Sequence, residues 1–145
     1  MNRGTSFEEY LGSHDSLTYR NTGTSMMPLL KEGRDLFTVA GKGESRCCRG
    51  DVVLYRRGEE YVLHRIIRVR EHDYVILGDN CVRKETGITD ADIIGVMTGF
   101  VHRGREHSVK ETGYRLYSGF WMGIAPVRIP LQKAIHRIHL WVRDK

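Results

Sequence analysis

The chain has 145 residues, of which 40% are apolar and 28% charged, and its formal net charge is +5. This composition is typical of one globular domain. Three cysteines, two of them adjacent, are too few for a disulfide framework and form no Cys-x-x-Cys zinc motif, so we expect a reducing compartment and no metal. There is no apolar signal-peptide core, and the longest uncharged apolar-rich run, 116–127, is too short to span a bilayer. We therefore expect a cytoplasmic protein without a signal peptide or transmembrane helix.

The N-terminal segment, residues 1–18, is predicted to contain a short helix. Ser6 is followed three residues later by Glu9, which is the spacing of a capping box, and apolar positions follow. Gly12 and Ser13 then interrupt the helical pattern.

The middle of the chain, residues 19–107, is predicted to form a mainly β, antiparallel body. Short runs rich in β-branched residues alternate with turn signals such as Arg57-Gly58 and Glu71-His72-Asp73. Three central strands are joined by loops of only a few residues, so we expect a meander. The predicted strands are 35–40, 51–56, 60–70, 73–78 and 92–101.

The C-terminal segment, residues 108–145, is predicted to be a helical tail. From Pro130 onwards, apolar residues recur at helical spacing and basic side chains occupy the other face. Two interpretations of residues 116–142 stay open. Aromatic residues beside cationic ones could make a peripheral contact with an anionic membrane. Alternatively the apolar stripe covers an open face of the β body, and we favour this interpretation.

Three short motifs carry residues suited to nucleophilic catalysis. Gly23-Thr24-Ser25-Met26-Met27-Pro28 places a serine in a glycine-preceded turn, which can expose the hydroxyl and leave backbone N–H groups as oxyanion donors. His64 lies within a predicted strand, and an imidazole titrates near neutral pH, as a base for serine requires. Asp79 follows the next strand, where a hairpin would bring it level with His64 and let it orient the imidazole.

Each motif alone also has an ordinary structural interpretation. Gly-Thr-Ser is a common loop tripeptide, and a histidine on an apolar strand face is usually a core or rim residue. Gly-Asp-Asn, at residues 78–80, is a typical turn. The motifs become more specific when their order and spacing are taken together.

Together with Gly50-Asp51-Val52-Val53, the motifs resemble the pattern of the S24/S26 serine peptidases, which include type I signal peptidases and LexA-like self-cleaving repressors. The resemblance covers about residues 19–101. It implies a signal peptidase/LexA-like β fold with Ser25 as the nucleophile. It also implies that His64 occupies the position of the general base, as in the archaeal and endoplasmic-reticulum signal peptidases.

The same resemblance implies the remaining members of the site. Asp79 matches the Gly-Asp-Asn aspartate of that branch, and Glu85 matches its second acidic position. Gly23 stands where bacterial signal peptidases often carry a serine, so the oxyanion hole would depend on backbone N–H groups of the turn that includes Thr24 and Met26. We expect neither the membrane anchor of the signal peptidases nor the DNA-binding domain of the repressors.

The sequence therefore predicts a serine endopeptidase that cleaves leader or signal-type peptides through an acyl-enzyme, without a cofactor. Its expected partner is an extended peptide or protein, paired with a strand edge near Ser25. One alternative is a catalytically inactive peptide-binding module on the same fold. Another is a nucleic-acid-binding protein, but we expect no nucleic-acid partner because the sequence has no helix-turn-helix, zinc finger or aromatic-basic β platform.

Overall fold

The structure is a computed structural model that describes residues 6–144, and it consists mainly of antiparallel sheet. One eight-stranded sheet carries a short N-terminal helix and a long C-terminal helix, which confirms the predicted mainly β fold. In chain order the elements are α1 (Phe7–Ser13), β1 (Ser16–Arg20), β2 (Leu36–Gly41), β3 (Val52–Arg57), β4 (Glu60–Val69), β5 (Tyr74–Leu77), β6 (Glu85–Ile88), β7 (Ile93–His102), β8 (Arg105–Ser108) and α2 (Thr112–Arg143).

The strands lie in the order β1-β2-β7-β3-β4-β5-β6, and β8 pairs with β7. The consecutive neighbours β3, β4 and β5 form the predicted meander. The five predicted strands correspond to β2, β3, β4, β5 and β7, whereas the short strands β1, β6 and β8 were not predicted.

The helix α1 begins as its sequence predicts. Ser6 Oγ accepts a hydrogen bond from the backbone N–H of Glu9 at 3.1 Å, and Ser6 N donates to the Glu9 carboxylate at 3.4 Å. Tyr61 of β4 donates to Glu8 at 2.6 Å, and this contact ties the helix to the sheet. The capping box is therefore confirmed.

Strand β3 is buried on both faces, because it lies between two apolar clusters. Val52 belongs to one cluster and Val53 to the other. Strand β4 pairs with it so that Val52 lies opposite Arg65 and Val53 opposite His64. Since successive side chains of a strand alternate, the neighbours His64 and Arg65 project from opposite faces of the sheet.

A β-bulge interrupts β4 opposite β5, between Ile66 and Arg68. It adds one residue to β4 and shifts the pairing beyond it by one position. The shift places Gly78 beside His64. Without the bulge, the same hairpin would place Asp79 there.

Helix α2 has 32 residues, which corresponds to a length of about 48 Å. It begins well before Pro130, the predicted first helical position, and it continues through both Pro126 and Pro130. Each proline lacks the N–H of one intrahelical hydrogen bond. Glycines and aromatic residues give the first half of α2 only modest helix propensity. The local sequence pattern therefore does not predict that the helix begins before Pro130.

The apolar stripe of α2 does not cover the β body, so the favoured interpretation of the tail is wrong. The buried residues of the helix are Ser118, Ala125 and Arg128. Many of its large hydrophobic side chains are exposed instead. They include Leu116, Phe120, Val127, Leu131, Ile135, Ile138 and Val142.

Between residues 6 and 144, neither helix combines the length and the apolar character that crossing a bilayer requires.

Candidate active site

A glycine-preceded turn presents Ser25, as the sequence predicts. Gly23 has a φ of 78°, a conformation that favours glycine, and Met26 is only 1% exposed and fixes the turn in the core. The backbone N–H of Met27 donates to Thr24 O at 3.1 Å. Within residues 6–144, the N–H groups of Ser25 and Met26 donate to no other group, so both can serve an oxyanion.

The Gly-Asp-Asn segment after β5 holds this turn in place. Asn80 donates from its backbone N to Ser25 O at 2.8 Å and from its side chain to Thr24 O at 3.1 Å. The backbone N of Asp79 lies 3.5 Å from the sulfur of Met26. The segment therefore acts through its backbone and through Asn80 to position Ser25.

Gly78 marks the point where the turn and the histidine strand meet. A Cβ atom there would lie 2.8 Å from Ser25 O, 2.9 Å from His64 Cδ2 and 2.6 Å from Cys81 Sγ. Such distances leave no room for a side chain. Ser25 and His64 also line one cavity of about 740 Å³, so the structure brings the two predicted catalytic residues together.

The hydrogen bonds of Tyr55 define the protonation of His64, which is only 7% exposed. Tyr55 Oη donates to Glu85 Oε1 at 2.9 Å and lies 3.2 Å from His64 Nδ1. Because the single hydroxyl proton goes to the carboxylate, the tyrosine oxygen accepts from Nδ1–H. Nε2 consequently carries the lone pair that a general base needs.

Nε2 of His64 faces Cys81, whose sulfur lies 3.9 Å from it and 3.9 Å from Ser25 O. Among the described residues, Ser25 Oγ forms no hydrogen bond with the imidazole. Ser25 and His64 thus share a site without a direct hydrogen bond between their side chains. Catalytic hydrogen bonds often tighten only when substrate binds.

Asp79 does not bind the imidazole of His64, so the expectation that it orients this ring is wrong. It is 2% exposed and forms a bidentate pair with Arg65, at 2.8 and 2.9 Å, and it accepts from Tyr117 Oη at 2.8 Å. The bulge in β4 is the physical reason, because it moves Asp79 to the face opposite His64.

Arg65 links this carboxylate to α2. Its Nη1 donates to Ser118 Oγ at 2.6 Å and to Tyr114 Oη and Gly50 O, each at 3.0 Å. Burial by itself would lower the pKa of Arg65, but the bonds and charge of Asp79 raise it above its usual range. Arg65 therefore stays charged, and each of its side-chain nitrogens has a partner.

Glu85 is the acidic side chain nearest to the histidine ring. Its Oε1 lies 3.8 Å from His64 Nδ1, and Arg57 donates to the same oxygen at 2.6 Å. Burial lowers the pKa of His64, the charge of Glu85 opposes that shift and the charge of Arg57 adds to it. The net direction is downward, so the imidazole is neutral and basic at physiological pH.

Tyr55 and Cys81 are site residues that the sequence interpretation missed. Tyr55 had a usable signal. The short connection at Arg57-Gly58 places Val53 opposite His64, and Tyr55 is the next residue on the same face of β3. No sequence pattern points to Cys81, because its approach to His64 depends on the fold of the loop after β5.

Comparison with protein-family models and with curated proteins finds no match to this chain. Within residues 6–144, no three His, Cys, Asp or Glu side chains come together in a way that could hold a metal ion. The geometry around Ser25 and His64 is thus the basis for any functional assignment.

Proposed function

We propose that this protein is a serine endopeptidase of the S24/S26 type, with Ser25 as nucleophile and His64 as general base. The observation that supports the proposal most is the close packing at Gly78, where the Ser25 turn and the His64 ring approach the same point within 3 Å. A glycine is required there because these two groups and Cys81 Sγ converge. The family resemblance of the four motifs points to the same pair.

The proposed reaction proceeds through an acyl-enzyme. Nε2 of His64 takes the hydroxyl proton as Ser25 Oγ bonds to the peptide carbonyl carbon, and the backbone N–H groups of Ser25 and Met26 bind the oxyanion. The imidazolium then protonates the leaving amine as the C–N bond breaks. Water, deprotonated by His64, hydrolyses the ester. Tyr55 and Glu85 hold the ring and stabilise its charged form, the task we had expected of Asp79.

An extended peptide fits the surroundings of Ser25. Strand β1 ends the sheet at one side and leads directly into the Ser25 turn, so its outer edge can pair with a substrate strand. The cavity next to Ser25 is lined by apolar side chains from three strands, and charged side chains border it. We infer that an apolar substrate side chain lies beside the scissile bond of a leader-type peptide. The apolar lining includes Phe37, Leu54 and Leu63.

A cysteine peptidase using Cys81 is the second candidate. The 3.9 Å contact between Cys81 Sγ and His64 Nε2 favours it. Burial raises the pKa of the Cys81 thiol, however, and a reactive thiolate needs the opposite shift. We therefore assign the nucleophile to Ser25.

Covalent labelling distinguishes these candidates. A fluorophosphonate probe should label the wild type at Ser25 and should label Cys81→Ala to a similar extent. Ser25→Ala and His64→Ala should lose labelling and peptide hydrolysis by at least about 10³-fold while keeping their thermal transition.

The contrary results have distinct meanings. Loss of hydrolysis in Cys81→Ala, with a thiol reagent rather than the phosphonate blocking the enzyme, would assign the chemistry to cysteine. Peptide binding without any labelling or hydrolysis would favour the inactive binding module.

A further inference from the structure

The excess positive charge of the protein lies entirely in its C-terminal segment. Residues 112–145 contain six lysines and arginines and one aspartate, a net charge of +5, whereas residues 1–111 contain 17 basic and 17 acidic side chains. The β body is thus neutral overall. Attraction of an anionic partner by net charge is therefore a property of the α2 segment.

The same helix exposes a continuous apolar stripe along its outer face. Its members follow one another at intervals of three, four or seven residues, which keeps them on one side of a helix. Their exposed fractions range from 46% to 72%. The stripe consists of Leu116, Phe120, Val127, Leu131, Ile135, Ile138 and Val142.

This stripe is separate from the face that packs on the sheet. Ala125 is buried, whereas Val127 is 72% exposed. Residues two positions apart in a helix point about 200° away from each other, so these two lie on nearly opposite faces. The relation between buried Ser118 and exposed Phe120 is the same. The stripe therefore has no structural task within the described part of the chain.

We propose that this outer stripe of α2, residues 116–142, is a docking surface for an anionic lipid bilayer. The helix lies in the plane of the membrane, with the stripe at the boundary between headgroups and acyl chains. Lys133 and Arg137 lie on the polar side of the helix, away from the stripe, and they add to the positive charge that attracts an anionic surface. The proposal does not depend on the peptidase assignment.

Charge favours a bilayer over a second copy of the chain. Two copies paired along the stripe would bring two segments of +5 together. An anionic membrane instead neutralises that charge and buries the apolar side chains in one step. A stripe of 27 residues, about 40 Å long, also suits an extended flat surface.

Vesicle sedimentation of the full chain tests the proposal with a matched pair of variants. Leu131 lies on the stripe at 58% exposure, and Leu140, at 46% exposure, lies on another side of the same helix. The wild type should pellet with vesicles of phosphatidylglycerol and phosphatidylcholine, and added salt should weaken binding. Leu131→Glu should lower the partition coefficient at least about tenfold, and Leu140→Glu should retain it within about threefold.

Three outcomes would overturn the proposal. The protein could ignore anionic vesicles, bind them no better than pure phosphatidylcholine vesicles, or lose binding equally in both variants. A concentration-dependent dimer that Leu131→Glu dissociates, without vesicle binding, would assign the stripe to self-association. Ser25→Ala should bind vesicles as the wild type does, so the test is independent of the peptidase assignment.

Discussion

Two neighbouring residues of β4 face opposite sides of the sheet and have opposite surroundings. Every nitrogen of Arg65 donates to a partner, through Asp79, Gly50 O and two side chains of α2. His64 instead has one ring nitrogen bonded to Tyr55 and the other facing a cavity beside a thiol. A saturated network holds a fold, whereas a nitrogen that meets only a long contact with a thiol at a cavity is available for chemistry.

The largest expected effect is on stability, from breaking the saturated side. Arg65→Met leaves the buried Asp79 carboxylate without its cation, and we expect a loss of about 3–5 kcal/mol in the free energy of unfolding. Urea unfolding followed by circular dichroism measures it. The double variant Arg65→Met/Asp79→Leu should regain most of the loss, since no charge is then buried alone.

Asp79→Asn makes the same test sharper. If Asp79 acts on the fold, activity should fall in proportion to the unfolded fraction, and cooling should restore it. A variant that keeps its unfolding midpoint but loses kcat would return Asp79 to the catalytic role expected from the sequence.

An intermediate effect is expected from Tyr55→Phe, which removes the group that fixes the imidazole tautomer. We expect kcat to fall about 10- to 100-fold with a small change in KM. Tyr74→Phe is the matched control, because Tyr74 is also buried and donates to an aspartate, Asp90, away from His64. Equal losses of kcat in both variants would mean that Tyr55 is merely a core residue.

The smallest effect is a shift of the pH profile. Since burial lowers the pKa of His64, kcat/KM should rise with pH through a value below the usual 6.5 and reach a plateau near neutrality. Glu85→Gln removes one of the charges that raise this pKa, so the acidic limb should move to lower pH. Arg57→Gln should move it to higher pH.

The control for the pH series is Lys84→Ala, whose exposed side chain should leave the profile unchanged. Shifts of the same sign in Glu85→Gln and Arg57→Gln would show that the limb does not report His64. Each shift should be within about one pH unit, because both groups are partly solvated.

The regular strands and the capping box could be predicted because they depend on local pattern. The position of Asp79 could not, since a single bulge between Ile66 and Arg68 reverses which face it occupies. The hairpin argument predicts that Asp79 follows β5, which is right, and that it faces His64, which is wrong. Ser25 and His64 escaped this error because a turn and an unbulged pairing with β3 position them.

The course of α2 was also beyond local pattern. Two prolines predict an interruption, yet the helix continues through both, and Trp121 before them and Gln132 after them contact the same loop after β5. The orientation of its apolar stripe depends on those contacts. Amphipathic spacing alone reveals that a stripe exists, not which side of the helix meets the sheet.

Helix α2 also forms hydrogen bonds with the loop that positions Ser25. Trp121 Nε1 donates to Asp79 O at 2.7 Å, Arg128 to Cys81 O at 3.2 Å, and Gln132 to Asn80 Oδ1 at 3.4 Å. The change of pattern near residue 107 is thus a change of secondary structure, not a seam between modules. The unit that holds the Ser25–His64 site extends to about residue 132, so a graft of this site would have to carry most of the helix with the sheet.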